Sequence, residues 1–273
     1  MTHPLSNHRL PARFAAFRRH VRQGAQLAGL TLALTLAGCG GDGSSAPNPP
    51  PVDPPVTPPV DTTVDVAQLQ GRWATAVGVL PGFTTLVLPA RSGSATSWVL
   101  AQDASTLSRL TLTGGASLAA TGKAYPLSGS GLGQYVTPVA TVDLNANPKT
   151  LSLTQLAVSP IQMSLRDSLA GPASQADTVG QWTASAGNQR LEVRWNVSAA
   201  GVVTGSSNTG CVWSGSVTAM VDAKAYTAQI RENCAGSVSD FAGVATLSPD
   251  KSSLSVASTM VDDSRALVML FGR

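Results

Sequence analysis

Beyond His20 the chain has no histidine, because the sequence holds only three, at His3, His8 and His20. That absence excludes histidine-based nucleophilic triads and removes the side chain that most often moves protons near neutral pH or binds zinc. Basic charge is also lacking where it would matter. Five of the 18 Lys and Arg residues (Arg9, Arg13, Arg18, Arg19 and Arg22) precede Cys39, leaving 13 to face 15 Asp and Glu, a net −2 for residues 39–273. Nucleic-acid binding loses its electrostatic footprint there. The apolar run 27–38 is 12 residues, too short for a bilayer-spanning helix, which needs about 20. No long helical period follows residue 64.

What is present begins with that apolar run, placed after a basic N-terminus in the manner of a secretory signal. It ends in Leu36-Ala37-Gly38-Cys39, which resembles the lipobox of bacterial lipoproteins. The resemblance implies export, cleavage before Cys39 and a triacylated new N-terminus carrying palmitate-type chains; no cofactor is expected. Gly40 is not the aspartate that retains many such lipoproteins in the inner membrane, so the resemblance favours an outer-membrane anchor, on either face. Arg18-Arg19 is followed by His20-Val21-Arg22, a departure from the hydrophobic continuation of twin-arginine signals, and a translation start near Val21 stays open.

With Cys39 acylated, Cys211 and Cys234 remain as a pair in an oxidising compartment, and a disulfide is expected. Residues 211–217 and 226–231 read as strands joined by a turn around Asp222-Ala223. If Val221 and Lys224 flank a two-residue turn, antiparallel pairing sets the cysteines directly opposite each other, within disulfide reach. Two buried free thiols are the alternative; metal ligation lacks a histidine or a third free cysteine.

The organisation reads as a signal at 1–38, a Gly/Ser/Pro-rich linker at 39–64, and two β domains at 65–170 and 176–273. Prolines between Pro47 and Pro59 fix φ and remove donors, so the linker favours a solvated polyproline II spacer. After it, Gly71-Arg72-Trp73 recurs as Gly180-Gln181-Trp182. Lys123-Ala124-Tyr125 matches Lys224-Ala225-Tyr226, and 138–153 can be laid on 241–256, with Leu144 on Leu247 and Leu151 on Leu254. The common order and spacing argue for two diverged copies.

Residues 191–197 alternate, with Leu191, Val193, Trp195 and Val197 on one face. Further strands are expected at 84–88, 97–101, 108–113, 150–156, 161–166, 241–247, 253–257 and 266–271, the last apolar throughout and closing the second sheet. The fold class expected is all-β, two related small antiparallel barrels or meanders. Gly-x-Trp opening such a meander resembles the first strand of lipocalins, where the Trp seals one barrel end. The resemblance implies a barrel-end or ligand-cavity role for Trp73 and Trp182 and a carrier of a small apolar ligand.

Other motifs read as turns. Asp143-Leu144-Asn145-Ala146-Asn147 has the opening spacing of a calcium loop, but Pro148 stands where glycine is needed and Thr154 where a glutamate should be. Ser248-Pro249-Asp250-Lys251 has Ser-x-x-Lys spacing, which needs a helical turn to join amine and hydroxyl, whereas Pro249-Asp250 makes a turn between strands. Gly129-Ser130-Gly131-Leu132-Gly133 lacks a strand-to-helix setting for a phosphate and reads as a flexible loop. Of the carboxylates a glycosidase might use, Glu192, Glu232, Asp262 and Asp263 are read as solvated surface. These features point to a non-enzymatic binding or structural module of the cell envelope, anchored in the membrane through lipid, without metal or nucleic acid. Its expected partner is an envelope protein, a polysaccharide or peptidoglycan.

Overall fold

The computed structural model describes residues 63–128, 132–154, 156–157, 159–187 and 192–273, with side chains of 185–187 left aside. Cys39, the signal and nearly all of the linker lie outside the described residues. A 3₁₀ turn, η1 (Val66–Leu69), leads into β1 (Gly71–Ala74), β2 (Phe83–Val87), β3 (Ser94–Ala101), β4 (Thr106–Thr113), β5 (Ala119–Pro126), β6 (Gln134–Val136), β7 (Val139–Asp143), β8 (Thr150–Thr154) and β9 (Ile161–Asp167). A second 3₁₀ turn, η2 (Gln175–Thr178), precedes β10 (Gly180–Gly187), β11 (Val193–Val197), β12 (Val202–Ser207), β13 (Val212–Ala219), β14 (Tyr226–Cys234), β15 (Ser237–Leu247), β16 (Ser253–Met260) and β17 (Ala266–Gly272).

Both sets close into antiparallel barrels. In the second, β10 to β17 follow each other around the ring and β17 returns to β10, with Ala184 opposite Phe271. In the first, β9 returns to β1, with Trp73 opposite Leu165. There β6 and β7 act as one interrupted strand: Gly122 faces Val136 and Ala119 faces Val139 in a single register along β5. Pro138 falls in the gap, where it has no N–H to give the ladder. Each barrel thus has eight strands around it. Val64 donates its N–H to Gly115 O at 2.7 Å, so the chain is already tied to the first barrel at the last residue assigned to the linker.

The two barrels repeat one local arrangement. Trp73 and Trp182 are both fully buried, and each indole Nε1 donates to the carbonyl four residues earlier, Leu69 O and Thr178 O, at 2.8 Å. A 3₁₀ turn leaves a carbonyl without a helical partner, and the Trp takes it. Leu151 and Leu254 are buried in corresponding cores, and Leu144 and Leu247 pack against those cores. The Lys-Ala-Tyr match does not carry over to equivalent positions. Tyr125 packs outside its barrel, while Tyr226 belongs to the interior of the other.

The second barrel is filled by three indoles, on β10, β11 and β13. Trp182 faces Trp195 across β10 and β11, and Trp195 lies 6.0 Å from Trp213 and 4.4 Å from Phe271, centroid to centroid. Room for Trp195 comes from Gly205 on β12, where a Cβ would stand 2.6 Å from its Cδ1. Val193, Trp195 and Val197 are buried and Arg194 and Asn196 exposed, as alternation predicts; Leu191 lies outside the described residues. The first barrel is filled by Trp73, Val87, Val99, Leu110, Leu151 and Met163 among others.

Strand β5 is not legible from sequence, because Ala, Gly and Lys are poor strand formers. Gly122 is nonetheless required there, since a Cβ would stand 2.0 Å from Arg109 O. The short strand β12 was hidden for the same reason, carrying Gly205 and two serines.

Register places Cys211 opposite Cys234, continuing the pairs Val212 with Asn233 and Ala219 with Tyr226. The two are joined in a disulfide with Cα atoms 4.3 Å apart. The strands end at Ala219 and Tyr226, earlier than a two-residue turn requires, but Met220 N donates to Ala225 O at 3.0 Å and keeps the register unchanged. The bridge closes a separation of 23 residues, so reduction is expected to cost the second barrel about 3 kcal/mol on the chain-entropy account. Denaturant titration with and without a thiol-free reductant checks this, and an unmoved midpoint would refute it.

Candidate binding site at the seam between the barrels

A third apolar cluster lies outside both interiors and joins them. Leu86, Trp98, Leu107, Tyr125 and Leu127 from the first barrel pack with Ala223, Ala225, Val244, Ala266 and Val268 from the second. Strand β17 shows why its sequence is apolar throughout. Leu267, Met269 and Phe271 fill its own barrel, while Ala266, Val268 and Leu270 face the seam. Leu169, in the connection between barrels, is buried in the same cluster, and its carbonyl accepts from Lys224 N at 2.8 Å.

Two convex cylinders touch along a line and leave a trough on each side of it. On one side lies an apolar groove of about 330 Å³, walled by Leu86, Leu100, Val244, Val256 and Leu270, with Arg72 and Gln102 among its polar groups. Arg72 donates to Leu247 O at 3.0 Å across the seam. Trp98 lines this groove and also a second, polar cleft of about 520 Å³. The cleft takes Arg109, Lys123 and Tyr135 from the first barrel and Thr227, Ala242 and Asp263 from the second.

Asp263 organises the polar cleft. It sits at φ 60° in the turn between β16 and β17, a left-handed conformation that Asp tolerates better than most residues. Its Oδ1 accepts the Tyr125 hydroxyl and lies 3.4 Å from Arg109 Nη2, and its Oδ2 lies 2.8 Å from Lys123 Nζ. Arg109 also donates to Thr259 Oγ1 at 2.8 Å. Burial by itself would raise the Asp263 carboxyl, but hydrogen bonds from Lys123 and Tyr125, together with the charges of Arg109 and Lys123, leave it below its usual 3.8. Burial and then the bond to Asp263 push the Tyr125 hydroxyl up, so it remains a donor. The Asp263 hydrogen bond raises Lys123 in turn. Gly133 completes this corner: its N–H donates to Ser264 O at 2.9 Å, and a Cβ there would strike the Tyr125 ring. Gly129, Ser130 and Gly131 of the same loop lie outside the described residues.

Two of the four carboxylates read as solvated surface are not so. Asp263 is held in the seam, and Glu232 points into the mouth of the second barrel with only 8 % exposure, opposite Trp213. Burial raises the Glu232 carboxyl, partly offset by the charge of Arg265. Its carboxylate lies within 4.8 Å of both sulfurs of the disulfide. Glu192 pairs at the surface with Arg194 at 2.6 Å, and Asp262 accepts from Ser264. A tertiary contact, not a local pattern, holds Asp263 in the seam. Alternation from Ile230 does put Glu232 inward, and that was the one signal available.

The other sequence motifs resolve into turns with their own partners. Ser248 donates to Asp250 at 2.5 Å, while Lys251 pairs with Asp177 at 3.0 Å, so hydroxyl and amine serve different groups. Asp143 Oδ1 accepts from Asn145 N and Ala146 N at 2.9 and 3.0 Å, an Asx-type turn. Trp73 and Trp182 line neither cleft; both are buried in the barrel cores, and Arg273 lies over the Trp182 ring at 4.1 Å. Among the described residues no helix is long and apolar enough to cross a membrane. No family model, curated protein or solved structure matches the chain.

The titrating groups give signed expectations. Asp263 is depressed when folded, so its contribution is fully present above pH 3.8 and is lost as pH falls through the folded value. Asp263→Asn is expected to cost about 2 kcal/mol at pH 7 and progressively less below pH 3.8, measured by urea titration across pH. Glu232 is raised when folded, so ionisation opposes folding as pH climbs above 4.5. Glu232→Gln is therefore expected to raise the melting temperature at pH 7 and to leave it unchanged below pH 4.5. A destabilised variant at pH 7 would show that Glu232 is held by attraction.

Proposed function

We propose that the chain is a bacterial outer-membrane lipoprotein, anchored through acylated Cys39 and a proline-rich spacer, whose two-barrel body is a non-enzymatic binding or structural module of the cell envelope. The observation that carries the binding role is the polar cleft at the seam, where the Arg109 guanidinium, the Tyr135 ring and the Thr111 and Thr227 hydroxyls are open to solvent beside a packed interface. Polar groups elsewhere are used within their own turns, as at Ser248 and Asp143, whereas Arg109 keeps N–H donors beyond those given to Thr259 and Asp263, which favours a ligand in the trough. A polysaccharide, peptidoglycan or an envelope protein would meet it in that compartment.

A second reading, a lipocalin-like carrier of a small apolar ligand, is favoured by one feature, the apolar groove of about 330 Å³. That volume falls at the lower end of small-molecule sites. The carrier would then hold its ligand between the barrels, because Trp, Leu and Val side chains fill both interiors.

Labelling with a clickable palmitate analogue, followed by separation of inner and outer membranes, tests the anchor. Label is expected in the outer membrane and is expected to vanish in Cys39→Ala. Unlabelled protein, soluble in the periplasm, would overturn the lipoprotein reading. Co-sedimentation of the detergent-extracted protein with isolated envelope polysaccharide and sacculi tests the binding role, and recovery only in the supernatant would count against it.

A further inference from the structure

We propose that the polar cleft binds a carboxylate-bearing sugar unit of an envelope glycan, with the acid on Lys123 and Arg109 and the sugar ring stacked on Tyr135. The inference rests on reading the seam cleft as the binding site and names its ligand class.

Charge comes first. Arg109 and Lys123 face one carboxylate, so the cleft carries a net +1 while residues 39–273 carry −2. Asp263 has no oxygen left over: one is shared by Tyr125 and Arg109, and the other is taken by Lys123. The cations do have capacity left. A guanidinium offers five N–H donors in a planar fork, and Arg109 spends them on Thr259 and Asp263 only in part. An ammonium offers three, and Lys123 Nζ directs its contacts to Asp263, its carboxylate and its main-chain oxygen. The arrangement suits an incoming carboxylate, and Asp263 fixes the cations in place before it arrives.

Aromatic surface comes second. Tyr135 on β6 is 85 % exposed, and the Lys123 ammonium lies 4.7 Å from its ring centroid. The Tyr125 and Trp98 rings, by contrast, are buried in the seam. A large ring left open beside a charged pair is a platform, because it presents an apolar face with fixed geometry at small entropic cost. A simple inorganic anion would need no such face. A pyranose has one apolar C–H face that stacks on it and hydroxyls that would meet Thr111 and Thr227, both exposed at the cleft. Gly122 and Ala242 add little bulk, and the cleft volume of about 520 Å³ is that of a small-ligand site.

Isothermal titration of the detergent-extracted full chain with trigalacturonate, maltotriose and inorganic phosphate tests the proposal. Trigalacturonate is expected to bind at least tenfold more tightly than maltotriose, and affinity to fall as salt rises. Tyr135→Ala is expected to weaken trigalacturonate at least tenfold, with Tyr135→Phe retaining it; the ring is exposed, so neither change threatens the fold. Lys123→Gln is expected to abolish the preference for the acidic sugar. Equal binding of maltotriose, no binding of trigalacturonate, or phosphate binding as well as the sugar with Tyr135→Ala silent would each overturn it. If Tyr135→Ala still co-sediments with envelope material while trigalacturonate fails to bind, the saccharide assignment falls and the wider binding reading stands.

Discussion

Burial of both faces of β17 is the constraint on which the two-barrel body depends. Leu267, Met269 and Phe271 close the second barrel, and Ala266, Val268 and Leu270 press its outer wall against the first. An eight-stranded barrel ordinarily presents a polar exterior to water. Here Leu86 and Trp98 supply the complementary apolar surface on the other barrel, and contact removes both from solvent. The gain from that burial makes the pair one compact unit.

The same contact sets up the electrostatics. Asp263 and Tyr125 come from different barrels, and only the packed seam brings them together with Arg109 and Lys123. Partial exclusion of water strengthens each interaction, while the penalty for burying the carboxylate is offset by three donors. Because curved walls meet along a line, the seam cannot fill the space on either side. One trough is left apolar and the other lined with cations and a free aromatic ring. The binding reading follows from this division, with Trp98 bordering both.

The two barrels carry the same turn and buried Trp and differ in what faces outward. The 3₁₀ turn, the Trp behind it and its bond to the carbonyl four residues back are the same in both. Lys-Ala-Tyr recurs in sequence but serves the seam in one copy and the interior in the other. Similar residues at similar spacing therefore mark a repeated barrel pattern, without marking a shared site.

The sequence by itself determined the all-β class, the alternation of β11, the Gly-x-Trp recurrence and the register that sets Cys211 against Cys234. Each of these depends on residues close in the chain or on counting along one hairpin, where the period of two leaves little choice. Only the tertiary structure decided that β5 is a strand, since Gly122 is required by the approach of Arg109's backbone. It likewise decided that Asp263 is held in the seam and that Tyr125 faces the partner barrel. Those outcomes depend on surfaces more than a hundred residues apart meeting, as for Tyr125 and Asp263, or on closure of the whole ring, and no local pattern encodes the curvature that brings them together.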